Sequence, residues 1–175
     1  MLIFMLSAAI AGTLAGVTLP DRVTINDSPV LLNGMGLREK FWIDVYVAGL
    51  YLSEPDNDPQ RIIRSKTPKR VHSVFIYPSI PKEKMQDTLR ENLANNPEIN
   101  RSVQDRFEHC LVLLEDFTQG DEVIFDYHPN IGTSLIVKGK TKATIVGDDF
   151  MEAIFSIYLG DAPASKQLKA GLLGR

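Results

Sequence analysis

The 175-residue chain is 44% apolar and 23% charged, with a formal net charge of −3, which fits one ordinary globular domain with a sizeable core. That balance excludes the broad basic face typical of nucleic-acid-binding domains, while leaving room for a few local cations to hold an acidic small molecule. A single cysteine, Cys110, excludes an internal disulfide and a paired-cysteine metal site; it stands in the run CLVLL and reads as a buried, inert thiol.

The first residues, MLIFMLSAAIAGTLAG, carry no charged side chain. They form an apolar stretch ending in small residues, with cleavage-compatible triplets such as Ala9-Ile10-Ala11. The stretch is too short and too rich in Gly and Ala for a membrane span of about 20 residues. No Lys or Arg precedes it, so a buried N-terminal segment or a displaced start is the alternative. The expectation is a signal peptide over residues 1–16, a domain over 17–175 and an exported protein, periplasmic if the source is a Gram-negative bacterium. The lone cysteine suits such a compartment.

Residues 17–25 alternate moderately, Asn26-Asp27-Ser28-Pro29 is turn chemistry, and Val30-Leu31-Leu32 returns as a strand, which predicts a hairpin. Asn33-Gly34-Met35-Gly36 reads as a second break, where backbone turns tightly or approaches another group closely. Residues 41–52, FWIDVYVAGLYL, give the strongest strand signal and are apolar at both parities, so that strand is expected to be covered on both faces. Gly49 inside it predicts a bulge or a close packing contact. Asp58-Pro59 opens a short helix as cap and first position. Residues 69–77 read as a strand. Residues 81–95 read as a helix with Met85, Leu89 and Leu93 on one stripe, and 97–117 as a second. Residues 122–128, 134–137 and 141–146 read as strands, the last two joined by a tight hairpin at Lys138-Gly139-Lys140. Helices over 149–158 and 165–173 close the chain. Strands, helices, more strands and helices, without regular βαβ alternation, predict an α+β domain with a mainly antiparallel sheet and helices on one face.

Standard catalytic signatures are missing. His72, His109 and His128 have no second ligand at metal spacing. There is no dinucleotide fingerprint, phosphate loop or nucleophile elbow, so neither a cofactor nor a metal is expected. The acidic pairs Asp148-Asp149 and Glu115-Asp116 read as helix-end charges, and the basic residues from Lys66 to Arg70 as a solvated strand edge. Arg38 is the informative residue. It follows the glycine pair and precedes the most apolar strand, beside Phe41, Tyr46 and Tyr51. A guanidinium can grip a carboxylate with two parallel hydrogen bonds, and a phenol can add a third. The competing reading is a surface arginine paired with Glu39 or Asp44.

Two separated blocks resemble one family. LLNGMGLREKFWIDVYVAGLYLSE is similar to the Gly-x-Gly-x-Arg and Val-Tyr-x-x-Gly-x-Tyr pattern of chalcone-isomerase-like proteins. GDEVIFDYHPNIGTSLIVKGK followed by FMEAIFSIYLGDAPASKQLKAGLLG is similar to the family's closing strands and helices. The resemblance covers essentially the whole chain after the leader, and the short exported bacterial form is the nearest match. It implies an open-faced β-sandwich, a long antiparallel sheet with helices on one face and a cleft between them. It also implies one of three activities: isomerisation of chalcone-like enones, fatty-acid binding, or a non-catalytic role through partners.

Residue by residue, Arg38 matches the arginine that isomerases use to bind substrate. Their strand threonine falls on Tyr46. Their tyrosine and asparagine, seven residues apart, fall on Met85 and Asn92. A late specificity position falls near Ile157, beside Ser156. The departures remove hydroxyls that would polarise an enone, each such electrostatic donor being worth roughly 3 kcal/mol of barrier. The Arg38–Tyr46 pair resembles instead the carboxylate grip of the fatty-acid-binding branch. The resemblance therefore implies a binder of a small hydrophobic acid or phenolic ligand rather than an enzyme. Arg38, Tyr46 and Asn92 would bind it, with Trp42, Met85, Leu89 and Phe155 as candidate lining; plain core packing is the alternative for Met85 and Leu89.

Overall fold

Turn chemistry sets most of the strand boundaries. In the computed structural model, which describes residues 11–96 and 99–175, the chain begins with β1 (Ala11–Leu14), β2 (Val17–Pro20) and β3 (Arg22–Ile25). Asn26 and Asp27 then take left-handed backbone, with φ of 45° and 66°, as a two-residue hairpin turn requires. They join β3 to the long β4 (Ser28–Lys40), which pairs antiparallel with β5 (Ile43–Leu52). Residues 1–10 of the expected leader lie outside the described residues; Ala11–Leu14 pairs with β2.

Asp58 caps α1 (Pro59–Arg64), its Oδ1 accepting the Arg61 N–H at 3.0 Å. Next come β6 (Lys69–Phe75), the short β7 (Ser79–Ile80), and α2 (Lys82–Ala94). The second helix is shorter than its apolar spacing suggested. In α3 (Arg101–Val112), Asn100 accepts the Val103 N–H at 3.0 Å, and Phe117 passes into β8 (Phe117–Thr118), which pairs with β7. The chain closes with β9 (Glu122–His128), β10 (Gly132–Val137), β11 (Lys140–Ile145), α4 (Asp148–Leu159) and α5 (Lys166–Leu172).

One seven-stranded antiparallel sheet runs β11-β10-β9-β6-β5-β4-β3. Its helix-covered face carries Ala48, Leu50 and Leu52 of β5, Val71 and Phe75 of β6, and Val123, Phe125 and Tyr127 of β9. Against these lies α4, eight of whose residues are buried, including Phe150, Ile154, Phe155 and Leu159. It is therefore a core helix, apolar on most sides, and each such large side chain contributes roughly 1.5–3 kcal/mol. On the opposite face Val47 and Tyr51 pack under the β1–β2 ribbon with Val17 and Leu19. Strand β5 is covered on both sides, as its composition predicts. Gly49 is the close contact: a Cβ there would lie 2.5 Å from Leu19 Cδ1.

The glycines of Asn33-Gly34-Met35-Gly36 do not break the strand. They sit within β4, where the register shifts by a bulge between Leu32 and Gly34, and they seat α5 directly on the backbone. A Cβ at Gly36 would lie 2.4 Å from the Leu168 carbonyl oxygen, and one at Gly34 would lie 2.3 Å from that of Gly171. The basic stretch from Lys66 to Arg70 is also not a solvated edge, because β6 is a central strand. Arg70 forms a fork with Asp126 on the neighbouring β9, at 2.5 and 2.6 Å, both side chains being nearly buried. Lys69 is fully buried. Its Nζ donates to the carbonyls of Ile62, Ile63 and Ser65 at 2.6, 3.1 and 2.9 Å and lies 4.8 Å from the Phe155 ring centroid. Burial pulls its pKa down to about 7, whereas three carbonyls match the three N–H bonds of an ammonium and favour the charged form. Lys69 thus closes the C-terminal end of α1 from within the core.

Two substitutions test this packing by urea unfolding. Gly36→Ala is expected to cost about 2 kcal/mol or more, because the obstructing atoms are backbone and cannot rotate away. Lys69→Met keeps the stem but strands the α1 carbonyls, with an expected loss of about 3 kcal/mol; unchanged stability would show that water serves those carbonyls equally well.

Candidate functional site

A cavity of about 340 Å³ lies where the far ends of β4 and β5 meet α2. Its α2 wall is one helix face: Met85, Thr88, Leu89 and Asn92 follow the i, i+3, i+4, i+7 spacing that aligns side chains along a helix. Its sheet wall is Arg38 and Lys40 of β4 with Ile43, Val45 and Tyr46 of β5. The crossing from β6 to α2 contributes Tyr77, Ser79, Ile80 and Pro81.

Arg38 and Tyr46 are cross-strand partners in the β4–β5 register, which sets their Cβ atoms about 5 Å apart. A bulge between Arg38 and Glu39 follows immediately, a device that re-aims a side chain at a sheet edge. The half-buried guanidinium donates from Nη1 to the Glu39 carbonyl at 2.8 Å. A guanidinium has five N–H donors, so this contact fixes the group while leaving most of it available to the cavity. Neither Glu39 nor Asp44 forms an ion pair with it among the described residues, and no carboxylate lines the cavity. Arg38, Lys40 and Lys84 are the charged residues that line it, and all three are cations.

Tyr46 is buried and meets the Phe75 ring edge-on, centroids 5.7 Å apart. Burial, reinforced by the neighbouring Tyr158 and opposed by Arg38, holds its phenol far above the usual range. Tyr46 is thus a neutral hydrogen-bond donor throughout the physiological range. Burial likewise pushes Tyr158 up to about 12, opposed by the Ser73 hydroxyl. Most of the remaining surface is apolar, and the volume is at the lower end for a small-molecule site, sufficient for one slender ligand.

The structure thus brings Arg38, Tyr46, Asn92, Met85 and Leu89 to one cavity. Trp42 and Phe155 do not line it. Phe41 and Trp42 form the turn between β4 and β5, with φ of 51° and 62°, and Trp42 is 91% exposed. The strand begins two residues later than its aromatic content suggests. Phe155 is buried in the main core and faces Lys69 rather than the cavity. Ile157 is buried in that core, and Ser156 opens onto a separate polar cavity of about 630 Å³. Sequence reasoning missed Lys40, Lys84 and the hydroxyls of Tyr77, Ser79 and Thr88. Thr88 was within reach, since it completes the helix face running from Met85 to Asn92. Lys40 could have followed from extending the hairpin register, in which it faces Ile43. The 77–81 crossing has no periodic signal.

Elsewhere, burial pushes the Cys110 thiol up to about 12, consistent with an inert packing role. Among the described residues no three His, Cys, Asp or Glu side chains are grouped to hold a metal ion.

A search of curated protein sequences finds no significant match. Among solved structures, the crystal structure of the Arabidopsis thaliana fatty-acid binding protein AtFAP1 superposes with a TM-score of 0.73. The two are 15% identical, over 94% of this chain and 96% of the other. At that identity the likeness establishes the fold, an open-faced sheet-and-helix architecture. A sequence profile described as chalcone isomerase-like matches residues 11–174. The chain belongs to the chalcone isomerase-like family.

Proposed function

We propose that this protein binds a small anionic apolar molecule, a fatty acid or similar carboxylate, in the cavity between β4, β5 and α2. The observation that carries the reading is the pairing of Arg38 with Tyr46 at an apolar cavity that contains cations and no carboxylate. The guanidinium fork supplies two parallel N–H donors to a carboxylate, and the neutral Tyr46 phenol supplies a third. Lys40 and Lys84 add long-range attraction. Met85, Leu89, Val45 and Ile80 offer the chain an apolar wall. The fold neighbour described as a fatty-acid binding protein is in keeping with this reading.

The family's ring-closing chemistry is the competing reading, and Arg38 and Asn92 do share the cavity. Met85, however, occupies the position where the resemblance places a tyrosine, and a thioether cannot polarise a carbonyl as a phenol can. Export from the cytoplasm remains part of the proposal, tested by the N-terminal mass of the protein recovered from its own compartment.

Thermal-shift titration with medium-chain fatty acids should show saturable stabilisation. In Arg38→Ala the affinity should fall about 30-fold or more, since hydrogen bonds to a charged group contribute roughly 1.5–3 kcal/mol. Arg38→Lys keeps the charge but loses the fork; its affinity should still fall about tenfold, and equal affinity would count against bidentate binding. Chalcone mixed with the protein should close no faster than it does spontaneously. An acceleration abolished by Arg38→Ala would replace binding with catalysis.

A further inference from the structure

We infer that the Phe41–Trp42 turn is a docking tip that inserts into the surface of a phospholipid bilayer beside the mouth of the cavity. Among the described residues, four two-residue turns take left-handed backbone at both positions. Three are built from Ala15–Gly16, Asn26–Asp27 and Lys138–Gly139, where at least one partner is a residue that tolerates this conformation. The fourth is Phe41–Trp42. Bulky aromatic residues with positive φ are strained outliers, and such strain gathers where side chains have a task.

These two side chains gain little from packing in return. Phe41 is 79% and Trp42 is 91% exposed. The patch continues onto Ile43 and Tyr77, 45% and 39% exposed, and these two residues, with Phe41, line the cavity. The exposed apolar surface therefore runs from the tip into the binding cleft. Two rings of this size offer about 400 Å², about half of what one partner contributes to a standard protein interface. A narrow projection bearing Trp suits the headgroup boundary of a bilayer, where amphipathic rings concentrate. Lys40 lies with its Nζ 5.9 Å from the Phe41 ring centroid, and Lys84 stands on the other wall of the same cavity. Both have long stems that can carry their charge to headgroup level. Glu39 and Asp44 flank the same turn, so aromatic insertion, rather than attraction to anionic lipid, dominates the contact.

The docking surface stands on the tip itself. Its purpose, passing a poorly soluble acid between bilayer and cavity without crossing water, rests on the proposed fatty-acid binding. Trp42 is the only tryptophan in the chain, so its fluorescence reports insertion directly. Titrating the full chain with phosphatidylcholine vesicles should shift its emission to the blue and make it quenchable by brominated acyl chains. Adding about one-fifth phosphatidylglycerol should strengthen binding only severalfold. Trp42→Asn, which suits the left-handed backbone, should fold with unchanged or higher stability. It should co-sediment with vesicles about tenfold less, while keeping its affinity for decanoate measured without vesicles. Absence of a shift with either vesicle, or undiminished co-sedimentation of Trp42→Asn, overturns the assignment. A shift that grows with protein concentration in the absence of lipid would show self-association through the tip and overturns it equally. If decanoate fails to bind the unaltered protein while vesicle insertion persists, the docking assignment stands and the fatty-acid reading fails.

Discussion

The antiparallel pairing of β4 with β5 organises both the closing packing and the cavity. It sets Arg38 opposite Tyr46, and so fixes the spacing of the two groups best suited to hold a carboxylate. Its far end forms the Phe41–Trp42 turn, placing that aromatic tip beside the cavity those groups face. Its other half carries Gly34 and Gly36, whose missing side chains let α5 lie directly on the strand. A side chain at either glycine would displace the closing helix and tilt the strand that aims Arg38. Core packing and the shape of the cavity wall are therefore consequences of one hairpin.

Two arginines in the same sheet contrast a cation answered within the protein with one that faces a cavity. Arg70 sits nearly buried on β6 with both prongs of its fork taken by Asp126. Removing either partner would leave an uncompensated charge in a poorly solvating place. Arg38, among the described residues, is held through one N–H to the neighbouring Glu39 carbonyl. The two acids nearest in sequence do not answer it, and the cavity it faces contains two further cations. The charged groups lining that apolar pocket are all cations, and under the proposed function they would face an anionic guest.

Much of the fold was legible in the sequence, because its signals are local. Asn26-Asp27, Asp58-Pro59 and Lys138-Gly139 each mark a turn or cap by backbone chemistry alone. The doubly apolar residues 41–52 announced a strand covered on both faces, which the structure begins at Ile43. Other features required the tertiary context. The glycines at 34 and 36 signal close approach as readily as a turn, and only α5 decides between them. Lys69 in a basic stretch looks solvated until α1 is placed over it. Phe41 and Trp42 look like strand residues by composition, and their left-handed turn contradicts their intrinsic preference. At the site, Arg38 stood out beside Tyr46 by residue chemistry, the family resemblance paired them and added Asn92, and their meeting at one cavity follows from register and helix periodicity. Trp42 and Phe155 were misassigned to the lining because aromaticity does not report direction.

Under the proposed function, Arg38 and Tyr46 hold a carboxylate in its ionised form. The most direct measurement is carbon NMR of decanoate labelled at its carboxyl carbon, followed through acid titration in complex with the protein. An ordinary carboxyl ionises at about 4.3, and an adjacent guanidinium should lower that by one unit or more. A carboxylate held by Arg38 should show a depressed ionisation in the complex that returns towards the free value in Arg38→Ala. A bound carboxyl that titrates at or above its free value would contradict it, placing the acid group in water or in an apolar setting away from Arg38.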